Sequence, residues 1–473
     1  MRVARVGIAV AVVGALVGAG AAYEHTRDTP APRAGATPTP SLAASPTPTA
    51  TLPPAFALGG TSAAGQLVAA SGAALVLESP LRAPELGSRV NAVVIDAVTG
   101  TVLYRRGSAV PVVPASTAKL ATGLAALHVL GADTRFPTRV VARGQITAGR
   151  LSGDLILVGG GDPTLASPGA KAGYPPPARV GTLVTAVRQA GITSVTGAVL
   201  VDSSLFTGPR LGPGWKATYV TEGSVSPITA LMVDGGRRDP DDDKRYAAPD
   251  LAAGALLRTL LTQAGVRIGP PGVTRTLAPP GGRVLATVES PPVSALVERL
   301  IGRSDNELAE SLLRHVARRR GLPADFTGAA RALRTALGEL GLAADVAGLV
   351  DASGLSRQDR LTVGGLVRFL RAATRPDRPQ LRPLLTGLPV AGFSGTLGPR
   401  YREGTGRFGA GRVRAKTGSL DNVSTLAGTI VTAGGRLLLF AFSADRLPTK
   451  RTSPAAKALD VAAAALARCG CPA

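Results

Sequence analysis

Early strands, a helical middle, late strands and a closing helix predict an α+β body whose sheet joins both ends of the chain. Three observations carry this. Apolar runs bounded by turn residues stand at 91–96 and 101–105, and again at 413–416, 425–431 and 436–443. Apolar residues at helical spacing fill 294–303 and 307–318. An Ala-rich stretch over 454–468 closes the chain.

Arg2 and Arg5 precede an apolar run over 6–23, with small residues at Ala19, Gly20, Ala21 and Ala22. Residues 1–27 therefore read as a signal peptide or an uncleaved membrane anchor, and both place the rest in the cell envelope or outside the cell. Residues 28–54 are rich in Pro, Thr, Ser and Ala and read as an extended, semi-rigid linker. Next comes a hairpin, 91–96 and 101–105 around Val98-Thr99-Gly100. Pro111 and Pro114 end the extended stretch. Leu120, Leu124, Leu127 and Leu130 then recur at helical spacing, so Ser116 sits at or just inside a helix N-terminus. Over 136–283 short apolar strands (155–158, 198–201) alternate with Gly/Pro turns. This stretch reads as an inserted, β-rich domain dividing a main domain made of 80–135 and 284–473. Gly434-Gly435 makes the last hairpin turn.

At 473 residues the chain is long enough for two or three domains, and its 45% apolar content allows a large core. Aromatics are only 3%, so Ala, Val and Leu must build that core. The net charge of +22 invites a nucleic-acid reading. Almost all of it is arginine spread along the chain, with no dense basic block beside aromatics, which argues against nucleic acid. Exposure to anionic wall polymers, or an Arg-rich genome, explains the charge as well. Cys469 and Cys471, the two cysteines, form a local bridge or stay free, and their number excludes a disulfide framework or a four-cysteine zinc site. His128 and His315 fall in helices, where packing or surface roles outweigh catalysis. No metal cluster or cofactor-binding loop stands out, so neither metal nor cofactor is expected.

The chain has seven lysines and three asparagines, and this scarcity makes spacing informative. Only Lys119 has a serine three residues before it, Ser116. Only Asn306 has a serine two before it, Ser304. Lys416-Thr417-Gly418-Ser419 follows. On a helix, i and i+3 share a face, so Lys119 can reach the Ser116 hydroxyl and act as its base once burial or a second cation, Lys416, lowers its proton affinity. Ser304 is placed to relay a proton between Lys119 and a leaving amine, and Asn306 to hold Lys119 and a substrate amide. Ser304 before Glu307 also fits a helix-capping box. Lys416 and Thr417 suit a strand edge meeting a substrate's terminal carboxylate, Gly418 leaves room for close approach, and the Ser419 N–H completes an oxyanion hole with that of Ser116.

Ser-x-x-Lys, Ser-x-Asn and Lys-Thr-Gly in this order resemble the penicillin-recognition set of serine D,D-peptidases and β-lactamases. More narrowly, the chain resembles the class C low-molecular-mass penicillin-binding proteins, the D-alanyl-D-alanine carboxypeptidase/endopeptidases. The narrower likeness rests on Pro114-Ala115-Ser116-Thr117-Ala118-Lys119, the long gap before Ser304-Asp305-Asn306, and Gly159-Gly160-Gly161-Asp162-Pro163-Thr164-Leu165. Gly214-Trp215, Asp351-Ala352-Ser353-Gly354 and Ser394-Gly395-Thr396-Leu397 fit as well. The resemblance implies a serine β-lactamase/D,D-peptidase-like (penicillin-recognition) fold with an inserted β-rich domain. It implies an acyl-enzyme at Ser116, with Lys119 as base and Ser304, Asn306, Lys416 and Thr417 completing the site. Peptidoglycan stem peptides and β-lactam antibiotics are the implied partners. Some relatives carry an acidic residue soon after Gly-Trp that binds the substrate's side-chain amine; here Lys216-Ala217-Thr218-Tyr219 follows, and Glu222 is the nearest substitute. The alternatives are a β-lactamase-like hydrolase, which needs a carboxylate base for deacylation that the sequence does not assign, and a non-catalytic wall-binding or sensor protein on the same fold.

Overall fold

Helix α1 (Ala70–Glu78) leads into strands β1 (Val90–Asp96) and β2 (Val102–Arg106), then helix α2 (Lys119–Leu130). A second group follows: β3 (Pro137–Thr147), β4 (Arg150–Val158), α3 (Val180–Gln189), β5 (Ser194–Val195), β6 (Val199–Asp202), α4 (Pro249–Gln263), β7 (Arg267–Ile268) and β8 (Arg283–Glu289). Helices α5 (Val293–Arg303), α6 (Asn306–Arg319), α7 (Phe326–Gly338), α8 (Val363–Thr374) and α9 (Pro383–Thr386) precede strands β9 (Val413–Leu420), β10 (Val423–Val431) and β11 (Leu437–Ala444) and helix α10 (Thr452–Arg468). This is a computed structural model that describes residues 65–448 and 452–471, so the expected leader (1–27) and linker (28–54) lie outside the described residues. Among the described residues no helix is long and apolar enough to cross a membrane.

The first sheet has the order β2-β1-β11-β10-β9, antiparallel throughout, so the sheet does join both ends of the chain. β1 and β11 are buried along their whole length, as central strands covered on both faces must be. Side chains alternate across a strand, and the two faces feed different cores. Ala92, Val94, Leu438, Phe440 and Phe442 pack with α10 residues such as Leu459, Ala463 and Leu466. Val93, Ile95, Leu439 and Ala441 pack with α2, α5, α6, α7 and α8. Helix α2 is almost wholly buried and apolar but for Lys119, Thr122 and His128, the signature of a helix inside a core. Gly123 lets it approach its neighbours: a Cβ there would lie 2.8 Å from Leu384 Cδ1 and 3.2 Å from Val297 Cγ1. At the first hairpin, Asp96 Oδ1 accepts from the N–H groups of Val98 and Thr99, fixing the turn.

The second sheet has the order β7-β5-β4-β3-β8, with β6 also on β4. Residues 155–158 are the second half of a nine-residue strand, not a short one, paired to the eleven-residue β3. The turn between them, Ala148-Gly149, has positive φ at both residues, a geometry that residue type alone announces weakly when alanine occupies the first place. Two helices, α3 and α4, line this core, with Leu183, Val187, Leu257 and Leu261 buried against Leu155, Leu157 and Val199. The sheet continues through β8 to Glu289, past the expected boundary at 283. Cys469 and Cys471 are bonded to each other.

His128 is partly exposed and pairs with Glu339 at 2.8 Å, a surface role. His315 joins α6 to the segments around the second sheet. Its ring stacks on Phe136 with centroids 3.7 Å apart, and its Nε2 lies 3.2 Å from the Gly161 carbonyl oxygen. Burial disfavours its charged form and pushes its pKa down to about 3. The unfolded chain takes up this proton below about pH 6.5, whereas the native protein does not until about pH 3. Stability is therefore lost as pH falls through that window. A His315→Leu variant, weaker at pH 7, is expected to lose about 2 kcal/mol less than the parent between pH 7 and 4.5, as read from urea midpoints.

Candidate active site

Ser116 lies in a single 3₁₀ turn, Ala115–Ala118, that runs directly into α2. The turn is tied down from three sides. The Pro114 carbonyl accepts from Thr117 Oγ1 at 2.6 Å and from Thr425 Oγ1 of β10 at 2.9 Å. Ala115 is held at φ 49°, a left-handed conformation that costs energy for a residue with a Cβ. Its carbonyl rests on Gly354, itself at φ 78°, where a Cβ would stand 1.9 Å from that oxygen. Gly354→Ala is therefore expected to cost about 1–3 kcal/mol of stability and to slow penicillin acylation at least about tenfold by displacing the turn; denaturation and labelling rates check both.

Lys119 is the first residue of α2 and has no exposed surface. Its Nζ lies 2.9 Å from Ser116 Oγ, 2.6 Å from Asn306 Oδ1 and 2.6 Å from the Ser353 carbonyl oxygen. Three acceptors satisfy an ammonium. A neutral amine keeps two N–H bonds, to Asn306 and Ser353, and turns its lone pair to the Ser116 hydroxyl. Burial pushes its pKa down to about 8, against the opposing pull of Asp351, Glu310, Asp305 and Glu307. Lys416 is also fully buried and held well below the ordinary lysine value, by burial first and by the charge of Lys119 second. Burial is the first cause of the lowering at both amines, and the proximity of the two disfavours their being charged together.

Ser304 and Asn306 sit where α5 passes into α6. Ser304 ends α5 at φ 58°, ψ 38°, and Asp305, not Ser304, caps α6 by accepting from the Leu308 N–H at 3.0 Å. The capping box anticipated for Ser304 and Glu307 is therefore absent: the left-handed residue turns its side chain elsewhere, and its hydroxyl accepts from Lys416 Nζ at 2.9 Å. Asn306 donates from Nδ2 to the Ser224 carbonyl at 2.8 Å while its Oδ1 holds Lys119. Its amide thus bridges the base to a loop of the 136–283 segment.

The strand β9 is an edge strand, and Lys416-Thr417-Gly418-Ser419 lies within it rather than at its end. Residues 389–391 cover the start of its outer edge, the Ala415 N–H donating to the Pro389 carbonyl at 3.0 Å and Val413 O accepting from Ala391. Backbone groups alternate along an antiparallel strand, so the N–H groups of Thr417 and Ser419 face the same outer side, beyond the covering segment. Ser419 is exposed and Thr417 half-exposed. Thr417 Oγ1 donates to Thr396 Oγ1 at 3.0 Å, and its carbonyl accepts from Lys416 Nζ at 2.7 Å. Gly418 permits a close approach, but of the protein to itself: a Cβ there would stand 2.1 Å from Thr425 Oγ1 and 2.8 Å from the Pro114 carbonyl. It sets β9 against the nucleophile turn. Glu222 is engaged by Thr218 Oγ1 at 2.6 Å and Lys216 at 3.7 Å, and Lys216 also pairs with Asp421 at 2.8 Å.

All eight sequence-derived residues thus fall on three adjoining pieces: the turn before α2 with that helix's first residue, the α5–α6 junction, and β9. What the motifs did not show is the Ser353 carbonyl on Lys119, the clamp of Thr425 on the turn, and Thr396 beside Thr417. A backbone carbonyl leaves no mark in residue identity.

A serine hydroxyl against a buried amine of lowered proton affinity, beside an open strand edge, defines a serine acyl-transfer hydrolase of the penicillin-recognition fold. The chain belongs to the D-Ala-D-Ala carboxypeptidase 3 (S13) family, whose profile matches residues 74–245 and 243–466, and it is an enzyme of that class. It is 41% identical over 394 residues to a carboxypeptidase of Mycobacterium tuberculosis, covering 82% of each chain. It is 38% identical over 408 residues to the carboxypeptidase DacB of Mycolicibacterium smegmatis, covering 85% of each. The crystal structure of penicillin binding protein 4 (dacB) from Haemophilus influenzae shares the fold, with a TM-score of 0.67 at 23% identity over 83% of this chain and 98% of that one.

Proposed function

We propose that this protein is an exported serine D-Ala-D-Ala carboxypeptidase/endopeptidase that trims peptidoglycan stem peptides through an acyl-enzyme at Ser116, the residue penicillin acylates. The observation that carries this reading is the Lys119 amine, wholly buried, 2.9 Å from the half-exposed Ser116 hydroxyl and held on its two other sides.

Neutral Lys119 takes the Ser116 proton as Oγ attacks the carbonyl carbon of the penultimate D-alanine. The resulting oxyanion faces the Ser116 N–H, in a first helical turn where N–H groups lack helical partners, and the outward Ser419 N–H. The substrate backbone pairs with the open part of β9, and Thr417 Oγ1 receives the terminal carboxylate. Lys416, having no exposed surface, acts through its bonds to the Ser304 hydroxyl and the Thr417 carbonyl, which hold those two groups in place. The C–N bond then breaks; the proton held by Lys119 passes to the leaving amine by way of Ser304, and water later hydrolyses the ester.

Residues 136–283 serve as an inserted unit whose Ser224 carbonyl steadies Asn306. Residues 1–27 carry the chain across the membrane as a signal or remain as its anchor, with 28–54 as the spacer that lets the enzyme reach the wall. Fractionation of cells producing the full chain tests this last part: activity in the cytoplasm would contradict it. For the reaction, purified protein is expected to release D-alanine from a pentapeptide ending in D-Ala-D-Ala and to hold fluorescent penicillin covalently for long times. Rapid turnover of penicillin would instead indicate a β-lactamase, and wall binding without labelling a non-catalytic protein.

A further inference from the structure

We propose that Glu310 is a positioning residue for acylation: through the Ala352–Ser353 backbone it fixes the carbonyl that holds Lys119, and so aims the amine's lone pair at Ser116. The inference rests on the reading of Lys119 as the base.

Glu310 follows Asn306 by one turn of α6, on the same face, and is fully buried. Its Oε1 accepts from the N–H groups of Ala352 at 3.1 Å and Ser353 at 3.0 Å. Its Oε2 lies 3.3 Å from Arg314, a buried guanidinium set 4.2 Å from the Phe326 ring centre. The Ala352 carbonyl accepts from Thr122 Oγ1 of α2 at 2.6 Å. On the far side, Asp351 accepts from the N–H groups of Gly354 and Ser356, each at 2.7 Å, and from Trp215 Nε1 at 2.8 Å. The Ser353 carbonyl, whose oxygen lies 2.6 Å from Lys119 Nζ, shares its peptide plane with the Gly354 N–H held by Asp351, while Glu310 and Thr122 hold the preceding 352–353 peptide, so Ser353 is anchored at both of its peptides.

Tuning Lys119 toward neutrality does not explain a carboxylate here. Lys119 faces Lys416 from β9, Asp351 from its loop, and Asp305, Glu307 and Glu310 from α6, and each carboxylate favours the charged amine. Glu310 opposes the base electrostatically while holding its geometry. A backbone carbonyl fixed to well under 1 Å is worth retaining at that electrical cost, because misplacement by about 1 Å costs roughly 10²-fold in rate. Burial also raises the Glu310 pKa to about 7, which softens its charge near neutrality.

The test is the second-order rate of labelling by fluorescent penicillin, followed from pH 5 to 10 in the full chain, together with peptide mapping of the label. Glu310→Gln keeps an acceptor for the two N–H groups and removes the charge. It is expected to retain a plateau rate within about tenfold of the parent, with the acid limb displaced to lower pH by at least roughly half a unit. Glu310→Ala, where it folds, frees the Ser353 carbonyl and is expected to lower the plateau about 10²-fold. A Glu310→Gln profile whose acid limb coincides with the parent's, or folded Glu310→Ala labelled at the parental plateau rate, overturns the proposal. Failure of the parent itself to be labelled at Ser116 would instead defeat the underlying reading.

Discussion

Ser116→Ala is expected to release no measurable D-alanine and to take no covalent label from penicillin, while folding and binding as the parent does. The hydroxyl is small and half-exposed, and the turn around it is held by Thr117, Thr425 and Gly354 rather than by Ser116 itself. Removing one oxygen leaves the turn in place but takes one of three acceptors from the buried Lys119 amine, so stability is expected to fall by about 1–3 kcal/mol without loss of the fold. Both activities should vanish together, because both need the same bond between Oγ and a carbonyl carbon. Residual D-alanine release without labelling would mean that water, or another group, attacks the peptide.

Lys119→Ala is expected to slow acylation by about 10²–10⁴, the usual worth of a general base. The pH dependence carries the sharper signature. In the parent, the amine must lose its proton to act, and its pKa is lowered to about 8. Acylation should rise with pH and level off above that value, whereas Lys119→Ala should lose this inflection. Burial sets the direction: an exposed lysine would place the inflection near its ordinary value of about 10.4. Removing the amine also leaves Asn306 Oδ1 and the Ser353 carbonyl without a donor and relieves Lys416 of a neighbouring charge, so stability moves in two opposed directions. The rate profile, not the melting point, is the diagnostic reading.

The parts of this site that were legible in the sequence are those set by local geometry. Ser116 and Lys119 are one helical turn apart, and with seven lysines in the chain that spacing stands out. The strand character of 413–416 and the helices on either side of Ser304 follow from apolar periodicity, and they put the three motifs on elements that pack together. Other features depend on contacts between distant segments. Whether Ser304 would cap α6 or turn to Lys416 was decided by a left-handed backbone at that residue, which serine does not advertise. The role of Gly418 likewise changed once β10 placed Thr425 opposite it. The hairpin between β3 and β4 has a weak sequence signal because Ala148 occupies a position where asparagine or glycine is the usual residue. Glu310 reads as an ordinary helical glutamate until the loop carrying Ser353 is seen to rest on it.

The central claim is that one buried amine activates one hydroxyl. Benzylpenicillin treatment of the intact chain, followed by proteolysis and tandem mass spectrometry, tests it directly. The expected result is a single penicilloyl adduct on the peptide containing Ser116, formed at a rate that rises with an inflection near pH 8. An adduct on any other residue, or none at all, would contradict the account.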